Sequence, residues 1–278
     1  MNRRLVITAD DLGVDAETNA TIVELMRDGL VSATTLIPVA TAATDAVERL
    51  KAAGLHAPRL HLTLNSAREW AGWSPLSADA RTLIGPDGTL PLDAAQAERS
   101  ASTADVAREM FAQLGWMRRL GLRPPALDSH SGTLYGLRGR SLALTAVEFC
   151  AEHGLAFRLP RRLASVLGLA VRGLGTAHRR AVRRADALGV RLPQTLVGSW
   201  LPGSAILGYG HLRADVLAQL RSLPRGTSEL IVHPSPLASA QRFPAGEGRK
   251  RVWELRLLRD PAFHRALRRE HIEVVPAW

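Results

Sequence analysis

Four separate stretches of the chain end in residues that bind metals or move protons. The first is Thr8-Ala9-Asp10-Asp11-Leu12-Gly13, and the second holds His61 within Leu60-His61-Leu62-Thr63-Leu64. The third ends Leu127-Asp128-Ser129-His130, and the fourth ends Ile231-Val232-His233-Pro234. One carboxylate and two imidazoles are enough to hold a divalent ion while leaving positions open for water and substrate. Such an ion lowers the pKa of bound water and polarises a carbonyl oxygen. A second carboxylate beside it takes the water's proton, and a further histidine protonates a departing amine. The adjacent Asp10 and Asp11 can divide the two carboxylate roles, because neighbours at a strand end point in different directions.

Each of these features also has an ordinary structural reading. Asp11 or Asp15 can cap a helix that follows the first strand. A lone histidine in an apolar strand, such as His61, can be a satisfied core residue. Asp128 and His130 can be strand-end hydrogen-bonding groups, and His-Pro at 233–234 can simply start a loop. Four such features at four strand ends together favour a site built from convergent polar groups. The remaining histidines (His56, His153, His178, His211, His264 and His271) fall in helical or loop contexts and read as surface residues.

The elements that must position these groups are legible as alternating short β-like and longer helical runs. Strands are expected at 5–9, 33–39, 59–64, 126–130, 156–159, 195–200, 229–233 and 272–275. Helices are expected at 15–28, closed by Gly29, at 42–53, closed by Gly54, and at 103–120, stopped by Gly121 and Pro124-Pro125. Further helical patterns cover 141–153, 163–188, 212–223 and 252–269. Repeated β-then-α order implies a parallel sheet with helices outside. About eight units suggest an α/β fold built as one distorted (β/α) barrel over 1–278, with a doubly wound open sheet as the alternative. In a parallel barrel all C-terminal strand ends meet at one rim, so residues distant in sequence converge there. The polar stretch 65–102, with Gly-Pro and Asp-Gly signals, is expected as a long loop or insertion.

The chain has 278 residues, a formal charge of +10 and a single cysteine, Cys150. No apolar run reaches the roughly 18 residues of a membrane span. The basic, then briefly apolar N-terminus is too short for a signal sequence, so a cytoplasmic protein is expected. One cysteine excludes an intramolecular disulfide. Only Lys51 and Lys250 are lysines, and arginine supplies the remaining positive charge. The densest basic residues, Arg158, Arg161, Arg162, Arg172, Arg179, Arg180, Arg183, Arg184 and Arg191, read as a solvated helical face, with an acidic ligand or a membrane surface as the alternative. Few aromatics lie among them, which argues against single-strand stacking and a specific nucleic-acid partner. The oligomeric state is not encoded legibly.

These same residues give the chain a family resemblance. It resembles the YdjC-like carbohydrate deacetylases, which include chitooligosaccharide and hopanoid-biosynthesis deacetylases. The resemblance is carried by Thr8-Ala-Asp-Asp-Leu-Gly13 with Asn19, by Ser32-Ala-Thr-Thr-Leu36, and by His61-Leu-Thr-Leu64 followed by Glu69-Trp70. It continues through Glu109 with Gln113, Gly121-Leu-Arg-Pro124, Asp128-Ser-His130, Glu229-Leu-Ile-Val-His-Pro234, and Arg251 with Glu254. Asp-Asp-Leu-Gly alone is weak, but the ordered set spans nearly the whole chain. The resemblance implies a distorted (β/α) barrel and one divalent metal ion, Mg2+ or Zn2+, held by Asp11, His61 and His130. It implies Asp10 as general base and His233 as general acid or transition-state stabiliser, with Arg251 among the substrate-binding residues. The implied reaction is attack of metal-bound water on the acetamide of an N-acetylated sugar or glycoconjugate, releasing acetate and a free amine.

Two positions depart from the pattern of many members. Ala126 stands where a histidine often precedes the Asp of Asp-Ser-His, and Ser131-Gly132 stands where a second histidine often follows. The three-ligand set survives both, but transfer of the chitooligosaccharide substrate does not. Trp70 and Trp73 offer aromatic faces for a sugar, with packing of their loop onto the barrel as the competing role. Two other readings fit the same residues. One is a different metal-dependent hydrolase such as a phosphoesterase, and the other is a non-catalytic sugar-binding protein on the same scaffold. The presence of both Asp10 and Asp11 disfavours the second, since binding alone needs no spare base.

Overall fold

The computed structural model describes residues 2–67, 72–163 and 174–278. The fold is α/β, a curled sheet of eight strands with helices outside it. Seven strands run in the spatial order β5-β4-β3-β2-β1-β7-β6, and β8 pairs with the start of β1. These are β1 (Arg3–Leu12), β2 (Ala33–Leu36), β3 (Arg59–Leu62), β4 (Ala126–Ser129), β5 (Ala156–Phe157), β6 (Leu196–Val197), β7 (Gly226–Val232) and β8 (Ile272–Val274). Every pairing is parallel. Parallel neighbours need crossovers, and the helices that supply them cover the outer face. Six of the eight strands are shorter than the sequence predicts, with only two residues each in β5 and β6, whereas β1 and β7 are longer.

Among the described residues no ladder joins β5 to β6, so the barrel is not closed by strand pairing. Irregular backbone partly spans the gap. Phe157 N donates to Arg191 O at 3.0 Å, Arg161 N to Pro193 O at 2.8 Å and Arg162 N to Gln194 O at 3.0 Å. On the other side Gln194 N donates to Thr227 O at 2.8 Å. The segment 191–195 thus satisfies edge groups that a strand would otherwise take.

β1 is the central strand, buried from Leu5 to Leu12. Helix α1 (Ala16–Arg27) starts at Asp15, whose carboxylate accepts from Thr18 N at 2.8 Å. Asp15, not Asp11, is therefore the cap. Asn19 on α1 ties down the intervening turn, accepting from Gly13 N at 2.7 Å and donating to Ala42 O at 2.9 Å. Gly13 has φ +107°, where a side chain is strained, and a Cβ there would lie 3.1 Å from Ile37 O.

Helices α2 (Ala43–Ala52), α3 (Ala94–Ser100) and α4 (Thr103–Arg119) follow. Ser102 caps α4 by accepting from Asp105 N at 3.1 Å. Its apolar stripe, Val106, Met110, Leu114 and Met117, recurs every three or four residues and is buried. Each such side chain contributes about 1.5–3 kcal/mol by leaving water. Three polar residues of α4 are also buried, Asp105, Glu109 and Gln113, and the last two brace the site's surroundings. Glu109 accepts from Leu76 N and Ser77 N, each at 2.9 Å, anchoring the 65–102 stretch. Gln113 accepts from Thr63 N at 3.1 Å and donates to Thr63 O at 2.8 Å, fixing the end of β3.

The 65–102 stretch is not featureless. It carries a 3-10 turn at Arg81–Leu83 as well as α3. The remaining helices are α5 (Ala143–His153), α6 (Leu174–Ala187), α7 (Tyr209–Arg221), α8 (Leu237–Ala240), α9 (Ala245–Leu258) and α10 (Pro261–Arg269). The single helical pattern expected over 252–269 is in fact the end of α9 and all of α10. Asp260 caps the second helix by accepting from Ala262 N at 2.7 Å, and Pro261 opens it. No described helix is long and apolar enough to cross a membrane.

Candidate metal and catalytic centre

The strand ends converge. Asp10 and Asp11 of β1, His61 of β3, His130 just after β4, His233 just after β7 and Arg251 of α9 all line one cavity of about 420 Å³. Consecutive strand residues ordinarily point to opposite faces. Here the register of β1 against β2 shifts between Ala9 and Leu12, and Asp11 adopts the left-handed region at φ +70°. This irregularity lets two adjacent carboxylates serve one site, a use to which bulges are often put.

Asp11 Oδ1 lies 3.4 Å from His61 Nε2 and 3.5 Å from His130 Nδ1. It is buried and has no hydrogen-bond partner among the described residues. An orphaned carboxylate oxygen in a dry site is costly unless something cationic meets it. Donors about 2.1 Å from one ion at tetrahedral angles are spaced about 3.4 Å apart, so the three atoms fit a divalent metal. The other oxygen, Asp11 Oδ2, accepts from Arg251 Nη2 at 2.7 Å. Burial opposes the Asp11 charge, yet Arg251 and the two imidazoles hold its carboxyl well below the usual range.

His61 is oriented from behind. Its Nδ1 meets the Asp128 carboxylate, which leaves Nε2 facing Asp11. A carboxylate behind an imidazole fixes ring and tautomer and strengthens it as a ligand. Burial favours neutral His61, but Asp128 and Asp10 outweigh it and push the ring's pKa up to about 10. For His130 burial dominates and lowers the pKa, which favours the neutral, ligating form.

Asp10 has a different partner. Arg158 grips it through both arms, Nη1 to Oδ2 at 2.7 Å and Nη2 to Oδ1 at 2.9 Å, and Thr35 Oγ1 adds a bond at 3.2 Å. Burial would raise the Asp10 pKa, but Arg158, His61 and His233 together overcome it and the net shift is downward. Donor atoms of Asp10, His61 and Asp128 also lie within 4.8 Å of one another. That second group already has its cation, because Arg158 Nη2 is 3.1 Å from Asp128 Oδ2.

The same guanidinium reaches Glu229 Oε1 at 2.8 Å. That oxygen also accepts from Thr8 Oγ1 at 2.6 Å and Arg59 Nη1 at 2.7 Å. Glu229 Oε2 accepts from Trp278 Nε1 at 2.7 Å, and Arg59 stacks 4.1 Å from the Trp278 ring. A buried polar chain therefore runs from Asp10 through Arg158 and Glu229 to Trp278. His233 donates its backbone N–H to Glu254 Oε2 at 2.7 Å, with its Nδ1 3.7 Å from the same oxygen. His233 is partly exposed at the cavity wall, and α9 supplies both its partner Glu254 and Arg251.

Two sequence expectations change here, and one left open is resolved. Arg158 is not part of a solvated face: it is 3 % exposed and central to the site, because three carboxylates surround it. Its placement among apolar neighbours in Ala156-Phe157-Arg158-Leu159 is the available signal. His178 is not a surface residue but is buried against the cavity, its Nε2 2.7 Å from Pro160 O. Trp73 is 1 % exposed with its ring 5.7 Å from that of His130, so it packs behind the centre. Trp70 and Glu69 lie outside the described residues. Asp128, Glu229 and Glu254 are visible in the sequence only as parts of motifs, without a role.

Comparison with known proteins locates this arrangement. The model of the YdjC-like protein family matches residues 4–269. The chain belongs to the YdjC-like family. A carbohydrate deacetylase from Geobacillus stearothermophilus is 27 % identical over 94 % of this chain and 91 % of its own length. A crystal structure from Enterococcus faecalis V583, described as a cellobiose-phosphate cleavage protein, has a TM-score of 0.78 at 20 % identity, covering 99 % of this chain and 97 % of that one. The lactam utilization protein of Thermus thermophilus has a TM-score of 0.51 at 15 % identity, covering 98 % and 99 % of the two chains. At such identities the two structures speak for the fold alone, since one fold hosts several chemistries.

Proposed function

We propose that this protein is a metal-dependent hydrolase that removes the acetyl group from an N-acetylated sugar or sugar conjugate. The observation that carries the reading is the orphaned Asp11 Oδ1 between two imidazoles. Full-length similarity to a carbohydrate deacetylase supports the substrate class.

Asp11, His61 and His130 would hold the ion, Mg2+ or Zn2+. When bound, the ion supplies Lewis acidity to the acetamide carbonyl and lowers the pKa of water bound to it. Two imidazoles with one carboxylate favour zinc or a similar first-row ion, since magnesium prefers oxygen donors.

Asp10 acts as general base. Its carboxylate is ionised at neutral pH because Arg158 opposes the effect of burial. The attacking water's oxygen bonds to the acetyl carbon while its proton passes to Asp10. His233, oriented by Glu254, donates a proton to the amide nitrogen as the C–N bond breaks. The products are acetate and the free amine. Arg251 sits at the cavity wall and contributes a charged donor toward the substrate.

The test is acetate release from a panel of N-acetylated sugars by metal-stripped protein, before and after adding zinc or magnesium. Release only with metal is expected. Silence across the panel from metal-loaded protein refutes the reading.

A further inference from the structure

Trp200 lines the same cavity as Asp10, His130 and His233, and it is 42 % exposed. A single exposed aromatic is ordinary on a protein surface. This one differs in two respects: it stands in the wall of the candidate site, and the backbone on both sides of it is fastened.

Before Trp200, Gly198 N donates to Gln219 Oε1 at 3.2 Å and Gly198 O accepts from Gln219 Nε2 at 2.9 Å. After it, Leu201 O accepts from Lys250 Nζ at 3.1 Å, and Gly203 N donates to Glu247 Oε1 at 2.6 Å. Gly203 lies so close to α9 that a Cβ there would sit 2.2 Å from Gly246 O. Gln219 belongs to α7, and Gly246, Glu247 and Lys250 belong to α9, the helix that also carries Arg251 and Glu254. The indole is thus referenced to the same element as the groups at the reacting end of the cavity.

A pyranose ring presents a rim of hydroxyls and a flat face of C–H groups. The hydroxyls need polar partners, and the C–H face is best served by a rigid aromatic plane, which buries much apolar area for two rotatable bonds. The same cavity is also lined by the apolar Leu159, Leu196 and Ile231. Trp73, the aromatic next to His130, is buried and offers no free face. Because the backbone around Trp200 is already held, little ordering cost is left for binding.

We infer that Trp200 is the platform on which the substrate's sugar ring stacks, and so a specificity-determining residue of the deacetylase. The inference rests on the deacetylase reading. It assigns Trp200 to substrate recognition rather than chemistry, so its loss acts on KM and not on kcat.

The experiment compares metal-loaded wild type, Trp200→Phe and Trp200→Ala in steady-state acetate release from the best N-acetylated sugar of the panel. Trp200→Ala raises KM about tenfold with kcat held within about twofold, a loss in the range of one aromatic contact. Trp200→Phe, which keeps a ring, restores most of the affinity. Thermal unfolding of Trp200→Ala stays close to wild type. An unchanged KM in Trp200→Ala overturns the inference, as does a fall in kcat alone. An unchanged KM with altered self-association in sedimentation overturns it in favour of a contact between copies of the chain. Those outcomes leave the deacetylase reading intact. Absence of acetate release from wild type on every sugar removes that reading, and the stacking role with it.

Discussion

Arg158 holds Asp10 through a two-armed contact, Nη1 to Oδ2 at 2.7 Å and Nη2 to Oδ1 at 2.9 Å, in a site where both side chains are only 3 % exposed. Two opposing effects meet in that contact. Burial alone would drive the Asp10 pKa up, and the guanidinium, with His61 and His233, more than offsets it. The folded pKa therefore lies below the ordinary 3.8, and the base is ionised throughout the neutral range.

Removing Arg158 should expose the burial effect. In Arg158→Met the Asp10 carboxyl titrates at higher pH, so the acid limb of kcat/KM moves upward. The stability consequence has a definite sign. A carboxylate with depressed folded pKa stabilises the protein above its unfolded pKa of about 3.9, and that stability is lost as pH falls through the lower folded value. Arg158→Met loses this contribution at neutral pH. Breaking a buried ion pair from one side costs about 3–5 kcal/mol. Kinetics over a pH range of about 4–9 and urea unfolding check both effects. An acid limb that does not move contradicts the assignment of Arg158 to Asp10.

Asp128 should act through His61. Asp128→Asn keeps the shape of the side chain but loses the charge behind the imidazole. Metal affinity falls by about 10–100-fold, the usual cost of losing such a partner. His61→Ala and Asp11→Ala should abolish stoichiometric binding. Competition against a chromogenic chelator measures all three, and unchanged affinity in Asp128→Asn would contradict the role given to it.

The far end of the polar chain predicts a stability effect remote from the cavity mouth. Trp278 donates to Glu229 and lies under Arg59. Trp278→Ala removes packing, a hydrogen bond and a cation–π contact, and should cost about 3–5 kcal/mol. Trp278→Phe keeps the ring and should cost about 1–2 kcal/mol, mainly the hydrogen bond to a charged acceptor. Denaturant titration distinguishes the two. Equal losses would show that the hydrogen bond accounts for the whole effect, and a Trp278→Phe variant as stable as wild type would show that it contributes nothing.

Much of the site is legible because chemistry gathers at the C-terminal ends of parallel strands. Strand order alone places Asp10, Asp11, His61, His130 and His233 at one rim, and they line one cavity. What no local pattern encodes is the register shift with Asp11 at φ +70°, because strand periodicity assumes a regular pleat. Arg158 is misread because nearby arginines on α6 are solvated, and composition cannot tell a cation that faces carboxylates from one that faces water. His178 is misread similarly, since burial of a helical histidine depends on what packs over it. The break between α9 and α10 has its signal in Asp260-Pro261, a cap and a first-turn proline inside one periodic pattern. Bridging by segment 191–195 is a property of backbone hydrogen bonds, which leave no mark on side-chain pattern.

The most direct test of the account separates holding the metal from moving the proton. Asp10→Asn is measured beside wild type for bound zinc and for acetate release from the best N-acetylated sugar of the panel. The account predicts one zinc in each protein, with turnover lowered by about a hundredfold or more in the variant, the usual range for a missing general base. Asp10→Asn that turns over at the wild-type rate would show that Asp10 is not the base, and loss of the metal from the same variant would show that Asp10 rather than its partners holds the ion.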